Sequence, residues 1–280
     1  MTTTELYAQI QAKKSMLCVG LDTDFNKMPE HIKRLATEGA TAVKGELVNG
    51  TARSLYEFNK AIIDATAAHC VAYKPNLAFY ERYGRDGMLA LEKTVDYLRS
   101  NYPEQFLIAD AKRGDIGNTA KMYAKTFFET MDFDAVTISP YMGSETVTPF
   151  LEYKGKFAIV VALSSNKSSA DFQLAEQDGK PLYQVVMEKM MSISTPENMM
   201  FVVGATKADK LAEIRKFCPD NFFLVPGVGA QGGSAEEVIA HGANAKGGLL
   251  INSSRGVIYA SNGEDFAEAA ARAAATTANL

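Results

Sequence analysis

Cysteine is scarce in this chain and badly spaced for cross-linking. Cys18, Cys70 and Cys218 are odd in number and far apart, with no Cys-x-x-Cys pair, so neither a disulfide framework nor a zinc site is indicated. Histidine is equally sparse. His31, His69 and His241 read as one loop residue and two helix-end residues without His-x-x-x-His spacing, so they are expected to be solvated rather than to bind a metal or catalyse. No run of Lys or Arg accompanies the net charge of −4, which argues against a nucleic-acid or acidic-membrane surface and for a small partner. The longest apolar run, Phe157 to Leu163, is far too short to span a bilayer, and the polar N-terminus lacks the apolar core of a signal peptide. A soluble cytoplasmic protein is the expectation. Also absent are a Gly-x-Gly-x-x-Gly turn after the first strand and a Walker loop, which weakens the case for a doubly wound nucleotide-binding sheet.

What the chain does have is enough apolar material, 47% of 280 residues, for one large core. Apolar, β-branched runs of strand length recur at Met16 to Leu21, Cys70 to Lys74, Phe106 to Ala109, Ala135 to Ser139, Phe157 to Leu163, Met200 to Gly204, Phe222 to Pro226 and Gly248 to Ile251. Helical patterns follow them, at about 51–69, 86–100, 118–130, 144–153, 182–194, 207–217, 234–241 and 264–275, with Thr51, Asn118, Ser144 and Ser234 as candidate N-caps. Eight strands alternating with eight helices is the arithmetic of an α/β fold of the (β/α)8 TIM-barrel type. The expectation is one barrel domain over 1–280, with a short N-terminal helix and long loops after strands one and five, Asp22 to Gly50 and Ser164 to Pro181. Both loops fall on the barrel face where active sites are built.

Charge collects at the carboxyl ends of the first three strands. Asp110 and Lys112 follow the run Phe106 to Ala109, two apart and so on one face of an extended chain. Alone they read as an ordinary strand-end ion pair. Asp22 at the end of strand one and Lys74 at the end of strand two point to the same mouth of the barrel. Four charges in a partly dry lumen are costly unless they pair with one another, and such arrays mark active sites. Across the barrel the character changes. Pro226-Gly-Val-Gly229-Ala-Gln231-Gly232-Gly follows strand seven and Asn252-Ser-Ser-Arg255-Gly follows strand eight. Glycines bare their N–H groups, Arg255 offers a bidentate fork, and barrels commonly hold phosphate between these two loops.

The stretch Asp110-Ala-Lys112-Arg-Gly-Asp115-Ile-Gly-Asn-Thr119 meets the pattern Asp-x-Lys-x-x-Asp-Ile-x-x-Thr, and the chain resembles the orotidine 5′-phosphate decarboxylases, particularly their longer bacterial form. Val19-Gly-Leu-Asp22, Lys74-Pro-Asn76, Pro226-Gly-Val-Gly229-Ala-Gln231 and Ser254-Arg255-Gly256 look like further family segments, in order along nearly the whole barrel.

The resemblance implies decarboxylation of orotidine 5′-monophosphate to UMP and CO2, the last step of UMP biosynthesis, without cofactor or metal. It implies that Asp22 and Lys74 hold the ribose hydroxyls and that Gln231, Arg255 and the backbone of the Pro226, Gly229 and Gly232 loop hold the phosphate. Ser164, with Ser165 as the alternative, would recognise the pyrimidine edge. Lys112 would protonate C6 and Asp110 would face the substrate carboxylate, with Lys74 and Asp115 keeping the central charges ionised and aimed. Asp115 and Thr119 would reach across a homodimer interface into the neighbouring subunit's site. Two rivals remain. One is a magnesium-dependent sugar-phosphate lyase or synthase of the same barrel superfamily, against which Lys74 stands where a metal-binding acid would be expected. The other is a catalytically inactive nucleotide-binding protein.

Overall fold

Periodicity leaves open whether eight apolar runs close on themselves, and hydrogen bonding decides it. The computed structural model describes every residue except Lys44, Thr206, Lys207, 229–233 and 279–280. Its barrel strands are β1 (Leu17–Leu21), β2 (Ala72–Pro75), β3 (Phe106–Arg113), β4 (Ala135–Ile138), β5 (Phe157–Leu163), β6 (Met199–Val203), β7 (Phe223–Pro226) and β8 (Leu249–Ser253). Each pairs in parallel with the next, and β8 closes the ring on β1 through Leu17↔Ile251 and Cys18↔Asn252. The fold is therefore the expected (β/α)8 barrel.

Strand alternation explains why these runs are apolar throughout. Cys18, Ala72, Ile108, Ala135, Ile159, Leu224 and Leu250 pack together in the lumen, while Val19, Tyr73, Leu107, Val136, Val160 and Leu249 belong to the larger layer beneath the helices. With both faces covered, neither parity tolerates solvent. The N-terminal mouth is closed by the helix Thr3–Lys13. Thr2 and Glu5 form a capping box at its start, and Leu6 and Ile10, one turn apart, pack into the lumen cluster. Each such buried side chain contributes roughly 1.5–3 kcal/mol of transfer free energy. Cys18, Cys70 and Cys218 are free and buried, as small apolar residues would be. No helix among the described residues is long and apolar enough to cross a membrane.

Several boundaries differ from the periodic reading. Ser234 caps its helix, Ala235–Gly242, by accepting from Glu237 N–H. Thr51, Asn118 and Ser144 do not cap. Their helices begin at Gly50 and Gly117, whose φ of +56° makes the entry turn only glycine adopts cheaply, and Ser144 opens a three-residue 3-10 turn after Gly143. The pattern read as 118–130 is an α-helix to Lys125 followed by one π turn, Thr126–Thr130. His31 lies in a short helix, Glu30–Arg34, rather than a loop. The long connection after β1 also carries an antiparallel hairpin, Thr41–Val43 with Glu46–Val48, and the one after β5 carries Glu176–Gln177 with Lys180–Pro181. The first lies against the outer helices, where Lys93 of the helix Gly84–Asn101 pairs with Glu46 at 2.7 Å.

Candidate active site

At the end of β3 the regular ladder breaks. Ala109 pairs with Val136 and Arg113 with Ile138, so Asp110, Ala111 and Lys112 all stand opposite Thr137 alone. This two-residue excess is a bulge, and bulges re-aim side chains beside functional sites. Lys112 adopts φ +44°, a left-handed conformation that costs a non-glycine residue on the order of 1–3 kcal/mol and persists only where the surroundings impose it. The imposition is visible: Lys112 N–H, which has lost its ladder partner, donates to Thr137 Oγ1 at 2.9 Å. The expectation that the strand ends at Ala109, with Lys112 reaching the mouth by simple alternation, is therefore corrected. The strand runs on to Arg113, and a pinned bulge sets the direction of Lys112.

Asp110 is the hub. Its Oδ2 accepts from Lys74 Nζ at 2.8 Å, while Oδ1 accepts from Lys112 Nζ at 2.5 Å and from Thr137 Oγ1 at 3.1 Å. The Lys74 and Asp110 side chains are 4% and 9% exposed, whereas Lys112 is 54% exposed and opens onto solvent. Burial pushes the Asp110 carboxyl up, but Lys74 and Lys112 outweigh it and hold the group well below the usual carboxylate range. Burial likewise pulls Lys74 down, and Asp110 with Asp22 outweighs it, leaving the ammonium above the ordinary lysine range. Asp110 is thus fixed as an anion and Lys74 as a cation.

Neighbouring strands complete the wall. Gly20 of β1 stands in register with Lys74, and a Cβ at Gly20 would lie 1.8 Å from Ser254 Oγ and 3.2 Å from Asn252 Oδ1. The glycine of Val-Gly-Leu-Asp is thus required by the close approach of the loop after β8. Tyr259 ties the same two loops together, donating to Asp22 O at 2.9 Å and accepting from Asp24 N–H at 2.7 Å. Asp22 Oδ1 and Asn252 Oδ1 are buried acceptors with no partner among the described residues. Buried orphans of this kind call for a hydroxyl or amide donor.

These side chains surround a cavity of about 340 Å3 at the carboxyl ends of the strands. Of the residues expected from sequence, Asp22, Lys74, Asp110, Lys112, Ser164, Pro226 and Arg255 line it. Ser164 is oriented from the long loop: its hydroxyl donates to Asn166 Oδ1 at 2.6 Å and accepts from Gln173 Nε2 at 2.9 Å. Ser165 also lines the cavity, and Gly204 makes room for it, since a Cβ there would sit 2.7 Å from Ser165 N. Asp115 and Thr119 lie outside this chain's cavity. Asp115 is partly exposed, its Oδ1 accepting from Ile116 N–H at 2.8 Å, and Thr119 is exposed. Gly229, Gln231 and Gly232 lie outside the described residues.

Sequence reasoning passed over Thr137, Val161 and Val202 and gave Asn252 and Ser254 no role of their own; all but Thr137 line the cavity. A signal for Thr137 existed. It shares lumen parity with Ala135 and is the one polar residue of β4, but alternation points out a lone Thr without naming its partners. Val161 and Val202 supply an apolar wall suited to a flat ring.

Chemically, an exposed ammonium held against a buried carboxylate can deliver a proton to charge developing on a ligand in the cavity, with no reorganisation of the charges behind it. Among the described residues no group of three or more His, Cys, Asp or Glu is placed to hold a metal ion.

Known proteins are similar to this chain over nearly its whole length. The sequence profile of the "Orotidine 5′-phosphate decarboxylase / HUMPS family" matches residues 15–270. The orotidine 5′-phosphate decarboxylase of Phocaeicola vulgatus is 54% identical over 275 residues, 98% of this chain and 95% of that protein. Its counterpart in Bacteroides fragilis is 54% identical over 276 residues, 98% and 94% of the two chains. Among solved structures, the OMP decarboxylase of Leishmania donovani is similar with a TM-score of 0.77 and 33% identity, covering 99% of each chain.

Proposed function

The chain belongs to the orotidine 5′-phosphate decarboxylase family, and from that premise we infer how its own residues divide the work. It is a carboxy-lyase of pyrimidine biosynthesis that converts orotidine 5′-monophosphate to UMP and CO2. The observation that carries the assignment of roles is the Lys74–Asp110–Lys112 row beside the cavity.

Breaking the C6–carboxylate bond leaves its electron pair on C6, and without an imine or thiazolium sink the developing charge must meet preorganised positive charge. Lys112 forms the new C6–H bond with one of its ammonium protons and is left neutral, to be reprotonated from water. Its 54% exposure supports that return path. Asp110 faces the departing carboxylate, and its place between two ammonium groups supports an ionised state throughout. Asp22 and Lys74 take the ribose hydroxyls, a reading supported by the unpartnered Asp22 Oδ1. Arg255, with Pro226 and the Gly229, Gln231 and Gly232 segment, grips the phosphate. Ser164 meets the pyrimidine edge, with the ring against Val161 and Val202. In this reading the reaction proceeds without cofactor.

The working unit is a homodimer. Asp115 and Thr119 lie off their own chain's cavity, and the segments after β3 and β4 around them, including the helix Gly117–Lys125, expose Ile116, Met122, Tyr141 and Met142 at 42–85%. A second copy covering these apolar side chains would bring Asp115 and Thr119 to its partner's Lys112. The test is the loss of orotate absorbance when orotidine 5′-monophosphate is mixed with purified protein, with and without chelator. Turnover by the wild type in both conditions and none by Lys112→Ala is expected. Unimpaired turnover by Lys112→Ala would remove it from the proton-donor role.

A further inference from the structure

β4 carries one polar side chain among apolar neighbours, Ala135-Val-Thr137-Ile138, and Thr137 is buried to within 1%. A hydroxyl this deep is costly unless both its donor and its acceptor capacity are used. Both are. It donates to Asp110 Oδ1 at 3.1 Å and accepts the Lys112 backbone N–H at 2.9 Å. One atom therefore joins the anion of the charged row to the backbone of the cation next to it.

We propose that Thr137 is a positioning residue for the decarboxylation: its hydroxyl pins the β3 bulge and so aims the Lys112 ammonium at the reacting carbon. The geometry gives it nothing else to hold. The bulge places two more residues on β3 than on β4 across from it, and the N–H that would have bonded a β4 carbonyl is taken by the hydroxyl. Lys112 sits at φ +44°, where a non-glycine residue relaxes once its restraint goes. Relaxation would swing a long side chain whose terminal nitrogen is also tied to the carboxylate that Thr137 steadies. Substrate binding, by contrast, rests on Asp22, Lys74, Arg255 and the loops after β5, β7 and β8, to none of which the Thr137 hydroxyl bonds, its two partners being Asp110 and the Lys112 backbone. Its removal should therefore affect proton delivery and spare affinity.

The inference rests on the reading of Lys112 as the proton donor, so the experiment separates the two. Wild type, Thr137→Val, Thr137→Ser and Lys112→Ala are compared for decarboxylation kinetics, for UMP affinity and for enzyme-catalysed exchange of the UMP C6 hydrogen in D2O, which runs the protonation in reverse. Thr137→Val keeps the shape and loses the hydroxyl, and it should lose about 10- to 100-fold in kcat and equally in C6 exchange, with UMP affinity held within about threefold. Thr137→Ser should restore both rates. Wild-type kcat and exchange in Thr137→Val overturn the proposal, and so does a loss shared equally by UMP affinity and not repaired by serine. If Thr137→Val does not fold, Thr137→Ala is read by the same criteria. C6 exchange that survives Lys112→Ala refutes the Lys112 reading itself. Exchange lost in Lys112→Ala but intact in Thr137→Val refutes only the role of Thr137.

Discussion

The Lys74 ammonium lies 2.8 Å from Asp110 Oδ2, with the two side chains 4% and 9% exposed. A buried pair of this kind is held because each charge answers the other, and losing one partner strands the survivor in a low-dielectric site. Asp110→Ala should therefore lower stability by about 3–5 kcal/mol, as read from urea unfolding. Lys74→Met combined with Asp110→Leu should recover most of that loss while abolishing turnover, because Lys112 is exposed enough to be solvated by itself. A double variant no more stable than Asp110→Ala would contradict the pairing account.

The same pair sets a pH window. Asp110 is held below its ordinary range, so its contribution to stability is complete above the unfolded-state pKa and declines as pH falls toward the lowered folded value. Lys74 is held above its range, so its contribution is complete below the unfolded lysine pKa and is lost as pH rises through the raised one. Stability from this pair should be flat between about pH 5 and pH 10 and fall on both sides. Unfolding measured against pH should show a shallower acid limb in Asp110→Asn. An acid limb identical to the wild type would mean that other carboxylates carry it.

Gly20 and Ser254 share a space that admits no methyl group, the hypothetical Cβ being 1.8 Å from Ser254 Oγ and 2.9 Å from Ser254 Cβ. Gly20→Ala should cost about 1–3 kcal/mol and displace the loop that carries Arg255, raising KM. Adding Ser254→Gly should restore stability by vacating the clash. Failure of the second change to repair the first would show that the conflict lies elsewhere.

As the proposed phosphate grip, Arg255 would act far from the reacting carbon, and remote binding energy serves the chemical step when it holds the substrate in its reactive pose. Arg255→Ala should lower kcat as well as raise KM. A raised KM with an unchanged kcat would make the guanidinium a uniform binder.

The proposed division of labour across a dimer admits a direct test. Asp115→Asn and Lys112→Ala subunits, each nearly inactive alone, should recover activity on mixing, because half of the sites in a heterodimer are then intact. No recovery with exchange of subunits verified would place Asp115 in its own chain's site.

Asp22, Lys74, Asp110 and Lys112 were legible as one cluster because strand periodicity is a local property: a residue's parity along an extended run dictates which face it takes. Counting strands likewise located the loops after β7 and β8, both of which line the cavity. Alternation failed at Lys112 in mechanism though not in outcome, since the residue reaches the cavity through a bulge and a left-handed backbone. N-cap residue type failed at Thr51, Asn118 and Ser144 because Gly50, Gly117 and Gly143, with φ of +56°, +56° and +97°, start those turns instead.

What the chain determined by itself is the set of eight apolar runs, the charged residues at three of their ends and the motif from Asp110 to Thr119, all readable because they depend only on residue type and spacing. Tertiary structure alone decided that Thr137 faces three residues of β3, that Ser254 lies against Gly20, and that Asp115 is kept out of the cavity its neighbours line. Each of these is a matter of register between segments far apart in sequence. Register follows from how the whole ring closes and packs, which no local pattern of residues carries.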